Sequence, residues 1–419
     1  MTDAKLKAPR GTFDVLAEDA CARSAIEQRA RAVLGSAGYE RIETPAFEST
    51  ELFARGVGES TDIVRKEMFT FEDAGGRSLT LRPEGTAPVC RAYVEHGMHK
   101  RRQPVKLWYL SSFFRHERAQ AGRYRQFWQV GAEALGSDDP AVDAESIALL
   151  WTLLDELEVR EVRLRLSSLG SLGARAAYRE RLQAHLRAHS DELSGEVRSR
   201  IELNPLRAFD SEHPGTRAVM AHAPRLLDEL DSEDAEHFAQ VRALLDAAGV
   251  TYEVDPTLVR GLDYYTRTVF EFTSDALGAQ SGVGGGGRYD GLVQELGGPP
   301  TPGMGWAAGI ERLMLAGTPP PAAPEAVELF VALDGSERNL QAAAFTLLSE
   351  ARSAGLSAQM DLGGRSLKGQ LGHASALGAR FIATVGAEGV LLRDVQSREE
   401  SQLPADAVVH AVLRGHHAL

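Results

Sequence analysis

"FFRHERAQAGRYRQFWQVGAE", residues 113–133, places four arginines and a histidine in its first thirteen positions. From Arg123 onward the odd positions carry Arg123, Arg125, Phe127, Gln129, Gly131 and Glu133, while the even ones include Trp128, Val130 and Ala132. On a strand, alternate side chains face opposite sides, so this spacing predicts one apolar face and one polar row with a single aromatic ring. Arg115 and Glu117 share a face on the preceding strand. Two readings fit: the solvated side of an amphipathic hairpin, or a polar floor with arginines around a flexible "AQAG" loop. The second suits a polyphosphate, because guanidinium groups grip phosphate oxygens through bidentate, charge-assisted hydrogen bonds.

That basic knot stands out against the rest of the chain. Lys and Arg number 46 against 59 Asp and Glu, a net charge of -13, which excludes a non-specific polyanion binder and confines any nucleic-acid contact to local patches. The two cysteines, Cys21 and Cys90, are far apart and in no C-x-x-C pair. A disulfide framework and a cysteine zinc site are therefore excluded, and a reducing compartment is expected. His96, His99, His222 and His237 show no metal-ligand spacing. The opening "MTDAKLKAPRGTFDVL" has no apolar signal core, and no uncharged apolar run approaches the ~20 residues that span a bilayer. The expectation is a soluble, cytoplasmic protein without membrane contact.

At 419 residues the chain is long enough for two or three domains. One seam is clear. "AGTPPPAAPEAVELF" (316–330) holds Pro319, Pro320, Pro321 and Pro324 between a helical pattern and a strand-like run, which reads as a linker over 316–325. Beyond it, strand-like "VELFVALDG", "LSAQMDL", "RFIATVG" and "GVLLRDV" alternate with helical "SERNLQAAAFTLLSEARSAG" and "SLKGQLGHASALGA", predicting a small α/β domain over 326–419. Before the seam, residues 1–315 open on a helical pattern and place strand candidates in two groups, about 68–135 and 252–312. The charged helical run between them reads as an insertion at about 170–228. Strands so distant in sequence predict a mostly antiparallel sheet with flanking helices, an α+β fold.

Two further stretches have open readings. In "RGLDYY", Arg260 and Tyr264 share parity and Tyr265 faces the other way, so both tyrosines reach one pocket only if the backbone is irregular; half-buried packing is the plain alternative. "GVGGGGRYDG" (282–291) is either a flexible turn or a place where backbone approaches a ligand closely. No G-x-x-x-x-G-K-[ST] occurs, which excludes a Walker-type phosphate loop.

"FRHERAQAGRYRQF" resembles motif 2 of the class II aminoacyl-tRNA synthetases, in the form found in histidyl-tRNA synthetases. "GYERIETPAFE", with Pro45, is similar to motif 1, and "GMGWAAGIERL", with Arg312, to motif 3. "RGLDYYTRTVFEF" and "GVGGGGRYDGL" resemble stretches peculiar to the histidine enzymes, and the likeness runs on through "TLRPEGTAP" and "RSLKGQLGHASALGARF". Five of these motifs fall in order, and the likeness as a whole covers nearly the whole chain.

The resemblance implies a histidine-tRNA ligase: ATP and histidine form histidyl-adenylate, and the histidyl group passes to the 3' end of its cognate tRNA(His). It implies that Arg115 bridges the carboxylate and α-phosphate, Arg123 holds the outer phosphates, Glu117 meets the adenine, and Phe127 and Arg312 stack on its faces. Arg260 is implied as a further cation at the reacting centre. Glu84, Thr86 and Gln129 are implied to hold the α-amino group, and Tyr264, Tyr265 and Glu133 to line the imidazole pocket. Arg118 and Gln120 are implied at the tRNA acceptor end, where "RAQAG" lacks the proline many members carry. Mg2+ is expected on the ATP phosphates with no protein-built metal site, the C-terminal domain is expected to bind the anticodon, and motif 1 implies a homodimer. The rival within the resemblance is a regulatory subunit of ATP phosphoribosyltransferase in histidine biosynthesis. That protein characteristically lacks the C-terminal domain and the catalytic arginines kept here.

Overall fold

The computed structural model describes residues 5–416 except 59–60, 121, 319–326 and 336. The chain divides into two compact units, Met1–Pro321 and Ala322–Leu419. Most of the proline-rich seam read at 316–325 lies outside the described residues.

The first unit is built on an eight-stranded sheet. Its strands run Glu40–Arg41, Val105–Phe114, Gln126–Leu135, Gly303–Gly309, Gly282–Arg288, Thr266–Ser274, Val162–Ser168 and Glu253–Val254 in spatial order. The expectation of a mostly antiparallel sheet holds in part: five of the seven pairings are antiparallel, but the sheet is mixed. Its six inner strands are antiparallel neighbours, but both two-residue edge strands join in parallel. A parallel neighbour needs a long crossover, and each edge has one. A three-stranded sheet and two helices separate Arg41 from Val105, and the helical elements from Leu172–Ala188 to Ser232–Ala247 separate Ser168 from Glu253.

Parity then sorts the two faces. Even residues Val130, Ala132 and Ala134 enter a core with Phe270 and Phe272 of the strand Thr266–Ser274 and with Ile26, Ile147, Leu150 and Val241, supplied by the helices Ala17–Ser36, Pro140–Glu156 and Ser232–Ala247. The helix Pro140–Glu156 starts where Pro follows Asp139, whose carboxylate accepts from the Ala141 N–H at 2.8 Å. On the other face, Tyr109, Tyr264, Tyr265 and Tyr289 gather with Val89 and Cys90 from the helix Thr86–Glu95, and with Tyr178 and Leu182 from Leu172–Ala188. The predicted polar row lies on this second face, where the helices leave an opening.

The second unit has its own cores, drawn entirely from residues 327–412. Its sheet runs Ala358–Met360, Leu329–Leu333, Phe381–Gly386, Gly389–Asp394 and Glu400–Leu403, parallel through the first three strands and antiparallel after. The helix Arg338–Ser353 stops where Gly355 takes φ +88°, a left-handed turn that suits glycine. Sequence reading did not assign the last strand or the closing helix Ala405–His416.

Candidate active site

The opening forms a cleft of about 990 Å³ of empty space, the open solvent at its mouth included. Arg115, Glu117, Arg123, Phe127, Gln129, Glu84, Thr86, Arg260, Tyr264, Tyr265 and Arg312 all line it. Eleven of the residues picked from sequence therefore meet in one place, though they come from segments up to 228 positions apart.

Local structure explains how. The strand Val105–Phe114 ends before Arg115, so Arg115 and Glu117 sit on the loop beyond it and not on the strand, as their parity suggested. There the Arg115 Nε donates to the Pro83 carbonyl at 2.9 Å and its guanidinium stacks 5.2 Å from the centre of the Phe127 ring. Glu117 pairs with Arg123 and stands 3.8 Å from Arg115. Arg312, at the start of the helix Ile310–Ala316, donates to the Gly122 and Gly282 carbonyls. Burial pulls the Arg312 guanidinium below its ordinary range, and Arg123 and Arg115 push the same way. Desolvated, mutually repelling cations are relieved by a bound polyanion, so this wall favours phosphate.

The amino-acid end is built differently. Residues 260–265 are irregular, and both Tyr264 and Tyr265 turn into the cleft with ring centres 4.8 Å apart. Arg260 reaches Glu271 at 2.9 Å; burial acts to lower its pKa, but Tyr265 and Glu271 outweigh it and hold the charge more firmly than usual. Glu84 accepts the Thr86 and Ala87 N–H groups at 2.8 and 3.0 Å, and Tyr264 OH at 3.4 Å. Burial nonetheless pushes its carboxyl pKa up.

The glycine run is not a loose turn. It is the inner strand Gly282–Arg288, and a Cβ at Gly285 would fall 3.1 Å from the Arg260 guanidinium and 2.6 Å from the Phe270 carbonyl. The bare backbone is what lets Arg260 lie against the sheet.

Three picked residues do not line the cleft. Arg118 and Gln120 are exposed beyond its mouth, where Gln120 and Arg123 close a tight backbone pair. Glu133 lies beneath the floor with 0% exposure, because Gly305 opposite leaves it room; a Cβ there would overlap the carboxylate. Thr86 donates to Glu133 Oε1 at 2.8 Å, Tyr109 to the same oxygen at 3.4 Å, and Tyr289 to Oε2 at 2.7 Å. Burial dominates, pushing Glu133 up to about 8 despite those donors.

This fixes a sign. Between the ordinary glutamate value of 4.5 and about 8 the folded chain holds a proton on Glu133 that the unfolded chain has lost. Folding stability therefore falls as pH rises through that window, at about 1.4 kcal/mol per unit, and levels off above it. Relative to Glu133→Gln, wild type is expected to lose thermal stability from pH 5 to 8; parallel curves for the two proteins would contradict the assignment.

Sequence reading missed Tyr109, Glu271 and Glu311, which also line the cleft, and Tyr289 below it. Tyr289 and Glu311 carried a signal, since both sit inside quoted stretches beside Arg288 and Arg312. Glu311 anchors that corner by accepting from Arg23 at 2.7 Å and from the Trp128 N–H at 3.1 Å. Tyr109 carried none: its ring fills space left by Gly85 and Gly131, a fit visible only after folding.

Comparison with known proteins agrees in extent and kind. Residues 11–313 match the family model described as histidyl-tRNA synthetase, and residues 329–414 match an anticodon binding domain. A histidine–tRNA ligase of Halorhodospira halophila is 48% identical, covering 99% of this chain and 99% of its own. One from Desulfitobacterium hafniense is 46% identical, covering 95% and 96%. The crystal structure of apo S. aureus histidyl-tRNA synthetase superposes with a TM-score of 0.80 at 36% identity, covering 97% of this chain and all of that one. An arginine-lined cleft on an α+β sheet, followed by an anticodon-type unit, is the build of an aminoacyl-tRNA synthetase. Among these enzymes the chain belongs to the histidyl-tRNA synthetase family.

Proposed function

We infer that the chain activates histidine with ATP and transfers it to the 3' end of tRNA(His). The observation that carries this is the division of one cleft into a wall of repelling arginines and a tyrosine-lined pocket with buried carboxylates. The first suits triphosphate, the second a small zwitterion with a polar ring.

Activation brings the histidine carboxylate up to the α-phosphate, so two anions must be held together while charge grows on the phosphoryl oxygens. Arg115 and Arg260 face that point and stabilise it electrostatically. Arg123 leaves Glu117 for the outer phosphates, which frees Glu117 for the adenine amino group. The adenine lies between Phe127 and Arg312, displacing Arg115 from the Phe127 ring. Thr86, Gln129 and Glu84 take the α-amino group, and Tyr264 and Tyr265 close on the imidazole. Glu133 acts on that ring from below the floor, through the hydroxyls bonded to it.

Among the described residues no group of three or more His, Cys, Asp or Glu is set to hold a metal. Mg2+ fits as a passenger on the ATP phosphates, with Glu271 and Glu311 at the wall, and supplies charge neutralisation there. Among the described residues no helix is long and apolar enough to cross a membrane. The tRNA substrate implies work in the cytoplasm, and Arg118 and Gln120, outside the cleft mouth, are available to the acceptor end. Phe47 and Phe71, half exposed with rings 6.2 Å apart on the small sheet after Pro45, suit burial in a homodimer. The second unit takes the anticodon. The regulatory-subunit reading is set aside, because the whole arginine set and the second unit are present.

The test is pyrophosphate exchange into ATP. Exchange is expected with histidine and Mg2+ and with no other standard amino acid; exchange with threonine or proline, or none, overturns the reading.

A further inference from the structure

The helical elements between Ser168 and Glu253 grip the irregular stretch at 260–265 that lines the cleft and the loop that backs Arg115. Arg175, on the helix Leu172–Ala188, donates through Nη1 to the carbonyls of Asp263 and, at 2.8 Å, of Tyr265. Those carbonyls belong to the irregular stretch that carries Arg260, Tyr264 and Tyr265 into the cleft. Irregular chain has no ladder partner for such groups, and leaving a buried carbonyl unmet costs about as much as a lost hydrogen bond. Gly261 itself stands in open space, since a Cβ there would meet nothing within 4 Å, while Tyr264 and Tyr265 are packed; Arg175 adds the restraint on the backbone. Asn204, further along the same helical region, donates to Asp263 Oδ1 at 3.2 Å. Burial pulls the Arg175 guanidinium below its ordinary range, with Asp263 opposing, so a desolvated cation is committed to this one stretch of backbone.

The second grip is on the loop after the helix Thr50–Val57. Arg200 reaches both carboxylate oxygens of Asp62, at 3.0 and 3.2 Å, and Arg207 adds a longer bond at 3.4 Å. Asp62 precedes the turn Ile63–Glu67, whose Glu67 carbonyl accepts from the His116 N–H at 2.7 Å, next to Arg115. The loops also meet each other, since Asp263 N–H donates to the Val57 carbonyl at 3.3 Å.

The geometry points to Arg175 as a positioning residue for histidine. It touches no substrate in this arrangement, but it fixes the backbone from which Arg260 and both tyrosines project, with Arg200 fixing the loop behind Arg115. The helical region is thus a brace that sets the pocket's shape from behind. Removing Arg175 loosens the backbone from which the packed tyrosines and Arg260 project and leaves the ATP wall, built on Arg115, Arg123 and Arg312, in place.

This inference rests on the histidine-activation reading, and pyrophosphate exchange separates the two. Wild type without histidine-dependent exchange removes that reading. With an active wild type, Arg175→Met is expected to raise the histidine KM about tenfold or more, the worth of two lost charge-assisted hydrogen bonds to part-buried carbonyls, with the ATP KM near wild type. Arg175→Lys, which keeps a cation and a donor, restores part of the loss. Should Arg175→Met prove insoluble, Asn204→Ala gives a smaller rise of about threefold in the histidine KM. An unchanged histidine KM in the soluble variant, or equal changes in both KM values, overturns the assignment.

Discussion

Arg260→Ala is expected to slow histidyl-adenylate formation about 10²- to 10³-fold, the usual worth of one preorganised donor at a site of developing charge. Thermal unfolding should stay close to wild type. The substitution does not strand Glu271, which Arg260 meets at 2.9 Å, because Glu271 also lies 3.5 Å from Arg165 and is part exposed. Arg115→Ala makes a poorer probe. Its guanidinium also ties down the Pro83 carbonyl and covers Phe127, so lost rate and lost packing would arrive together. Arg260 separates them: single-turnover adenylate formation and a melting curve on the same preparation suffice. Near-normal adenylate formation would remove Arg260 from the reacting centre.

The contrast between these two arginines shows what sequence could carry. A two-residue period is a property of any pleated strand, so Phe127 and Gln129 could be assigned to the polar face from spacing alone, with Val130 and Ala132 on the apolar one. The same rule misplaced Arg115 and Glu117 because the strand stops at Phe114, and nothing in "FFRHE" marks that stop. For "RGLDYY" the rule succeeded by failing. Two adjacent tyrosines cannot share a face of a regular strand, and the chain is irregular where they do. The edge strands Glu40–Arg41 and Glu253–Val254 are too short to show any period, and they are what makes the sheet mixed. Glu133 was picked for the pocket wall and lies under it, since whether an inward carboxylate reaches the surface depends on the bulk of Thr86 and Tyr109 above it. Depth is a tertiary property, whereas parity is a local one.

A chain ending near Pro324 is expected to retain histidine-dependent exchange and to lose most of its tRNA charging at low tRNA concentration. Every residue assigned to adenylate chemistry precedes the proline-rich seam, and the cores of the first unit draw on no residue beyond Ala316. The second unit is equally self-contained, with cores from residues 327–412, so removing it opens no core in the first. What it takes away is contact with the tRNA. Fewer phosphates would then be neutralised, so the logarithm of tRNA affinity should fall less steeply with the logarithm of salt for the shortened chain. Should the second unit also brace a dimer, exchange would drop as well, and size-exclusion of the shortened protein would show monomer. A shortened dimer that charges tRNA as well as the full chain, with the same salt slope, would refute the anticodon role of residues 326–419.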